Sequence, residues 1–184
     1  KYFGAFYNDR IEGKGVMLCA DNRKITGVWY RGQLSGPGTI DYTDGRRYFG
    51  NFENGLRHGR GVMIFPDGRK YDGNWLNDQR SGHGLLTWAD GSYYEGKFAY
   101  GLRHGYGVMV WLHGRDYRSY VGVLSRQIPN LTSDSRCRRY EGNWHRDAKQ
   151  GFGKEIDAQG NVTEGVYIAD SLIGPYIETD PPNQ

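Results

Sequence analysis

Residues 48–70 read Tyr48-Phe49-Gly50-Asn51-Phe52, six residues that include Asn54-Gly55, then Gly59-Arg60-Gly61-Val62-Met63-Ile64-Phe65, Pro66-Asp67-Gly68 and Arg69-Lys70. Tyr48, Gly50 and Phe52 alternate, and so do Gly59, Gly61, Met63 and Phe65. A period of two puts each set on one face of a strand. Asn54-Gly55 is a hairpin turn signal, and Asp67-Gly68 joins the hairpin to the next strand. The stretch predicts two antiparallel strands with rings and glycines on one side. A residue without Cβ lets a ring lie flat on the backbone, and that reading is applied to both glycines of each G-x-G pair.

The pattern repeats. Gly4, Gly27, Gly50, Gly73, Gly96, Gly142 and Gly165 fall on one 23-residue grid, with Ser119 at the missing node. Self-similarity at a fixed period marks a repeat architecture. Units are expected near residues 2, 25, 48, 71, 94, 117, 140 and 163, making 1–184 one array. The unit near 117 is degenerate: Ser119 replaces glycine, and Ile128 and Asn130 replace the G-x-G pair, so a bulged or looped repeat is expected there. The unit near 163 keeps Gly165, Tyr167 and Gly174 but carries Tyr176 in place of the second glycine. It reads as a cap over an open sheet edge. Two strands per unit at ~4.8 Å give roughly 10 Å of rise per repeat.

Aromatic columns run along the grid. One holds Tyr2, Tyr48, Tyr71, Tyr94, Tyr117 and Tyr140; a second holds Phe6, Trp29, Phe52, Trp75, Phe98 and Trp144; a third holds Tyr42, Phe65, Trp88 and Trp111. Met17, Ile40, Met63, Leu86 and Met109 form a fourth. The four columns are expected on one face. With 29 glycines, 15 tyrosines and 37% hydrophobic residues, a thin sheet covered by rings suits this chain better than a two-layer core. A one-layer sheet leaves part of that face open, so Phe65, Trp75, Trp88, Phe98 and Trp111 are the candidate groove for a peptide or amphipathic helix.

A basic ladder follows the Asp-Gly turns. Its first column is Arg23, Arg46, Arg69, Ser92, Arg115 and Arg138, and the next is Lys24, Arg47, Lys70, Tyr93, Asp116 and Arg139. From it, Arg23, Arg46, Arg47, Arg69, Lys70, Arg115, Arg138 and Arg139 are candidates for an acidic partner or anionic headgroups. The competing reading is solvation of an edge, where cations also block unwanted strand pairing. A second cationic set, Arg57, Arg80, Arg103, Arg126 and Lys149, is assigned to the longer turns, with solubility as its reason.

Catalysis finds no support. The five histidines scatter, no Cys/His spacing suggests zinc, and the G-x-G pairs lack the strand-to-helix context of a phosphate loop. No catalytic residue, metal or cofactor is expected. Cys19 and Cys137 make no disulfide framework and suggest a reducing, intracellular setting. A net charge of +3 gives no reason to expect nucleic acid. The two Asn-x-Thr triplets, at Asn130 and Asn161, read as chance matches. The chain begins at Lys1 with Tyr2 already at a repeat start, which reads as part of a longer protein.

Tyr94-Glu95-Gly96-Lys97-Phe98 and Tyr140-Glu141-Gly142-Asn143-Trp144, followed by Gly105/Gly107 and Gly151/Gly153, carry a signature. The unit Y-x-G-x-W/F…G-x-G…D-G resembles the MORN (membrane occupation and recognition nexus) repeat. The resemblance implies an all-β fold: an elongated, single-layer, twisted antiparallel sheet of hairpins. It implies a scaffold or adaptor holding a partner protein along the aromatic face, with recruitment to anionic phosphoinositide membranes as the alternative. A third implication is an accessory region of a larger lipid kinase, methyltransferase or exchange factor. The family also admits homodimers and cytoplasmic, cytoskeletal, ciliary or membrane-peripheral locations.

Overall fold

The structure, a computed structural model, describes residues 1–112 and 137–175. They form fourteen strands: β1 (Tyr2–Tyr7), β2 (Arg10–Leu18), β3 (Lys24–Tyr30), β4 (Gln33–Asp41), β5 (Arg47–Glu53), β6 (Leu56–Ile64), β7 (Lys70–Leu76), β8 (Gln79–Thr87), β9 (Tyr93–Ala99), β10 (Leu102–Leu112), β11 (Cys137–His145), β12 (Ala148–Ile156), β13 (Val162–Ile168) and β14 (Ser171–Gly174). They belong to one antiparallel sheet whose order is the order of the chain. There are two compact units, Lys1–Ala89 with Lys97–Gly101, and Asp90–Gly96 with Leu102–Gln184.

In the first unit, β1 to β8 run as a meander. Asn54 and Gly55 have φ of 51° and 79°, so both turn residues are left-handed. That is a two-residue type I′ turn, whose twist matches the strands it joins. The turn is tighter than the sequence suggests: Leu56-Arg57-His58 are strand, not loop, and Phe52 pairs with Arg57. The length mismatch is absorbed further along, where the register shifts between Gly50 and Phe52 opposite Gly59. Gly59 has φ of 68° and nothing closer than 3.7 Å to the place of a Cβ. Its absent side chain therefore serves backbone conformation at a bulge, not ring packing, which corrects half of the G-x-G reading. The other half stands: a Cβ on Gly61 would lie 2.6 Å from Tyr48 Cζ.

The second turn type also follows from sequence. Phe65 N–H donates to Arg69 O at 2.8 Å, Gly68 N–H donates to Phe65 O at 3.1 Å, and Gly68 has φ of 87°. This is a three-residue hairpin loop ending in a left-handed glycine.

The core of the first unit is a row of rings. Tyr48 and Tyr71 are fully buried, and Phe52, Trp75, Met63 and Leu86 lie beside them. Tyr48 meets Phe52 and Trp75 edge-on at 5.1 and 5.4 Å, and Tyr71 meets Trp75 and Phe98 at 5.3 and 5.1 Å. Each such pair contributes about 0.5–1.5 kcal/mol beyond the area it buries. The hydroxyls are satisfied: Tyr48 donates to Asn51 O and Tyr71 to Asn74 O. Trp75 thus sits between two tyrosines. Among the described residues Phe6 meets the Tyr2 ring edge-on and is 62% exposed, where its column mates are buried.

The second unit repeats the scheme. Tyr94 and Tyr140 flank Trp144 as Tyr48 and Tyr71 flank Trp75, and their rings meet it edge-on at 5.5 and 5.1 Å. The pairing of β10 with β11 shows why: Gly105↔Trp144, Gly107↔Gly142 and Met109↔Tyr140 reproduce Gly59↔Trp75, Gly61↔Gly73 and Met63↔Tyr71 of β6 and β7. The hydrogen bond from Arg103 N to Asp147 spans 44 residues where that from Arg57 N to Asp78 spans 21, a surplus of one 23-residue period. The degenerate repeat near 117 lies outside the described residues up to 136, and its neighbours pair directly with each other. Tyr176 of the cap-like unit also lies outside them.

Candidate partner-binding face

The third aromatic column stands at the Asp-Gly turns. Tyr42, Phe65 and Trp88 in the first unit and Trp111 in the second are half-buried. The other two groove candidates, Trp75 and Phe98, are 5% and 3% exposed. They are core, because each packs against tyrosine and lies beneath a cation, and they present no open surface to a partner.

Those covering cations are the set that composition assigns to long turns and to solubility; the structure places them on strands, over the rings. Arg57 Cζ lies 4.3 Å from the Trp75 ring centroid, and Arg80 Cζ 5.2 Å from that of Phe98. In the second unit Arg103 covers Trp144 at 4.3 Å, and Lys149 Nζ lies 4.9 Å from Tyr140 and 5.3 Å from Tyr167. Arg57 and Arg103 are anchored by carboxylates of the following turn: their Nε atoms donate to Asp78 and Asp147 at 2.8 and 2.9 Å. A signal for this exists in the sequence. The same grid position is Leu34, 3% exposed, so a cation and an aliphatic chain exchange there. That exchange marks a site where a long stem covers apolar surface. Arg126 lies outside the described residues.

The basic ladder divides. Arg47, Lys70 and Arg139 alternate with buried Tyr48, Tyr71 and Tyr140 along their strands, so they point to the opposite face. Arg23, Arg46, Arg69 and Arg138 remain with the third column. Arg46 lies 4.8 Å from the Tyr42 ring, Arg69 4.9 Å from Phe65, and Arg138 5.2 Å from Trp111. Arg115 lies outside the described residues.

Each described candidate of the ladder has an acid beside it. Arg23, Arg46 and Arg69 pair with Asp21, Asp44 and Asp67 at 2.6, 2.7 and 2.7 Å. The backbone amide of the arginine, and then its guanidinium, hold each of these carboxyls below the usual range. Arg47 pairs with Asp41 at 2.6 Å, Arg139 with Glu141 at 2.7 Å, and Lys70 approaches Asp72 at 3.9 Å. Arg138 and Lys149 both engage Glu155. Burial raises the Glu155 carboxyl, but donation by Lys149 and Arg138 outweighs it and the net shift is downward.

A cavity of about 350 Å³ in the second unit is lined by Arg138, Lys149, Glu155, Asp157, Thr163 and Tyr167, among others. On the grid Thr163 stands where Tyr71 does, Asp157 where Phe65 does, and Glu155 where Met63 does. The cavity is therefore the space that two missing rings leave. Among the described residues no group of three or more His, Cys, Asp or Glu is placed to hold a metal ion.

A family model described as the MORN repeat matches residues 2–22, 26–46, 48–68, 71–93, 94–111 and 140–162. No curated protein matches the chain as a relative.

Proposed function

The chain belongs to the MORN repeat family, whose repeats are non-catalytic modules that bind proteins or membranes, and from that membership we propose a scaffold that holds a partner protein. The partner is a peptide or amphipathic helix lying against the third aromatic column, at Phe65 and Trp88 in the first unit and at Trp111 in the second. Trp75 and Phe98, buried beneath Arg57 and Arg80, belong to the core and not to this contact surface. An intracellular setting, cytoskeletal or membrane-peripheral, belongs to the same proposal.

One observation carries the choice of protein over lipid: the described candidates of the ladder are paired with carboxylates. A headgroup competes with an acid already 2.6–2.7 Å from the guanidinium of Arg23, Arg46 or Arg69. Half-buried rings flanked by paired charges suit side-chain contact, where apolar area supplies affinity and charge supplies register.

The test is capture of partners from a native lysate, at low and high salt, with the wild type beside Trp88→Ala and beside a variant with Arg46 and Arg69 changed to Glu. A stoichiometric protein that persists at ~1 M salt, where the screening length is about 3 Å, and that is lost at least tenfold with Trp88→Ala supports the scaffold. Binding of anionic vesicles that collapses with salt and ignores Trp88→Ala establishes the membrane reading in its place.

A further inference from the structure

On the face opposite the aromatic core, His104 of β10 and His145 of β11 stand side by side. Gly105 pairs with Trp144, so the two histidines are opposite one another across the ladder. Their ring centroids are 5.0 Å apart, with planes inclined at 56°. His104 is half-buried and His145 exposed. The 48–70 unit shows what is different here. His58, the grid equivalent of His104, approaches a carboxylate of its own hairpin, Nδ1 to Glu53 at 3.3 Å. The grid equivalent of Glu53 is Ala99, which has no carboxylate to give. His104 instead meets a second imidazole.

We propose that His104 and His145 form a two-nitrogen site for a divalent d-block cation of the zinc and nickel type. Imidazole nitrogen suits these ions, with bonds of about 2.0–2.1 Å. Two such bonds to one ion hold the donor atoms roughly 3–4 Å apart. Rings with centroids at 5.0 Å reach that separation by rotation about their side-chain bonds. The open face leaves the remaining positions to water or to a donor from a partner. The ion ties β10 to β11, strands that the chain connects only through residues 113–136. A clip that closes a long connection has the most closure entropy to remove.

The test uses the whole chain carrying Cys19→Ser and Cys137→Ser, so that thiols do not compete, stripped with chelator and titrated with zinc chloride and with nickel chloride. Calorimetry and thermal melts are the readouts. One ion per chain and a higher melting temperature with metal are expected. His104→Ala and His145→Ala each weaken binding at least tenfold and abolish the rise in melting temperature, while His83→Ala changes neither. Absence of binding overturns the site, and so does binding that survives either substitution. If His104→Ala does not fold, the exposed His145→Ala decides alone.

Discussion

At the scale of single residues, the two glycines of each G-x-G pair answer to different physics. Gly61 lies under the Tyr48 ring, while Gly59 sits at φ of 68° with room around it. Gly61→Ala drives a methyl into a fully buried ring and is expected to cost about 3 kcal/mol or more, on the order of an overpacked core. Gly59→Ala meets only the left-handed penalty, about 1–2 kcal/mol. Urea midpoints of the two variants measure the difference, and equal losses would show that one role covers both. The alternation that makes Gly61 legible in the sequence carries no sign of φ, which is why the role of Gly59 is not. Arg57 makes a similar point. Leu34 occupies its grid position, so Arg57→Leu is expected within about 1 kcal/mol of wild type, because replacing an ion pair by apolar contact is often neutral. Arg57→Ala uncovers Trp75 and is expected to lose about 1–2 kcal/mol more than the leucine variant in the same measurement.

At the scale of elements, strand phase is readable from the sequence and strand ends are not. The 23-residue grid locates every tyrosine column, but Leu56-Arg57-His58 look like loop residues by composition. Only the two-residue turn at Asn54-Gly55 frees them to pair, and the irregularity at Gly59 then moves the ladder by two residues, so that Gly61 and not Gly59 faces Gly50. Which rings stay accessible is hidden for a related reason: the pattern puts Trp75 and Phe98 on the ring-bearing face without showing the arginines above them. The junction of β10 and β11 gives a sharper test. Trp111 pairs with Arg138 as Phe65 bonds to Arg69. Deleting residues 115–137 leaves Leu112-His113-Gly114 in the place of Pro66-Asp67-Gly68. The shortened chain is expected to fold with a midpoint no lower than wild type, since closing 3 residues in place of 26 favours folding by roughly 2 kcal/mol. Deleting 22 residues instead leaves the turn one residue too long, and a lower midpoint is expected. Thermal melts of the two deletions distinguish them.

At the scale of the molecule, one interaction recurs, the buried tyrosine seen at Tyr48, Tyr71, Tyr94 and Tyr140, and pH addresses its copies together. Burial pushes the hydroxyl of Tyr48 up to about 12, and those of Tyr71, Tyr94 and Tyr140 upward as well. An unfolded tyrosine loses its proton near pH 10. The folded chain holds these protons more tightly, so the stabilisation is complete below about pH 10 and is lost as pH rises through about 12 and beyond. Each tenfold tightening of a proton corresponds to about 1.4 kcal/mol. Alkaline titration should show tyrosinate absorbance and loss of strand signal in one transition; buried tyrosines that ionise near pH 10 in a folded chain would contradict it. The direct pairing of β10 with β11 has a consequence for inheritance. Two strands set 23 residues further apart in the gene meet in the same register as their counterparts, so the sheet counts length only modulo one period. A gain or loss of a whole period passes unnoticed by the hydrogen-bond ladder, whereas a slip of one codon inside a strand turns every following ring toward water. Such a chain is built to change by doubling and dropping whole units, and its point deletions are far more dangerous than its large ones.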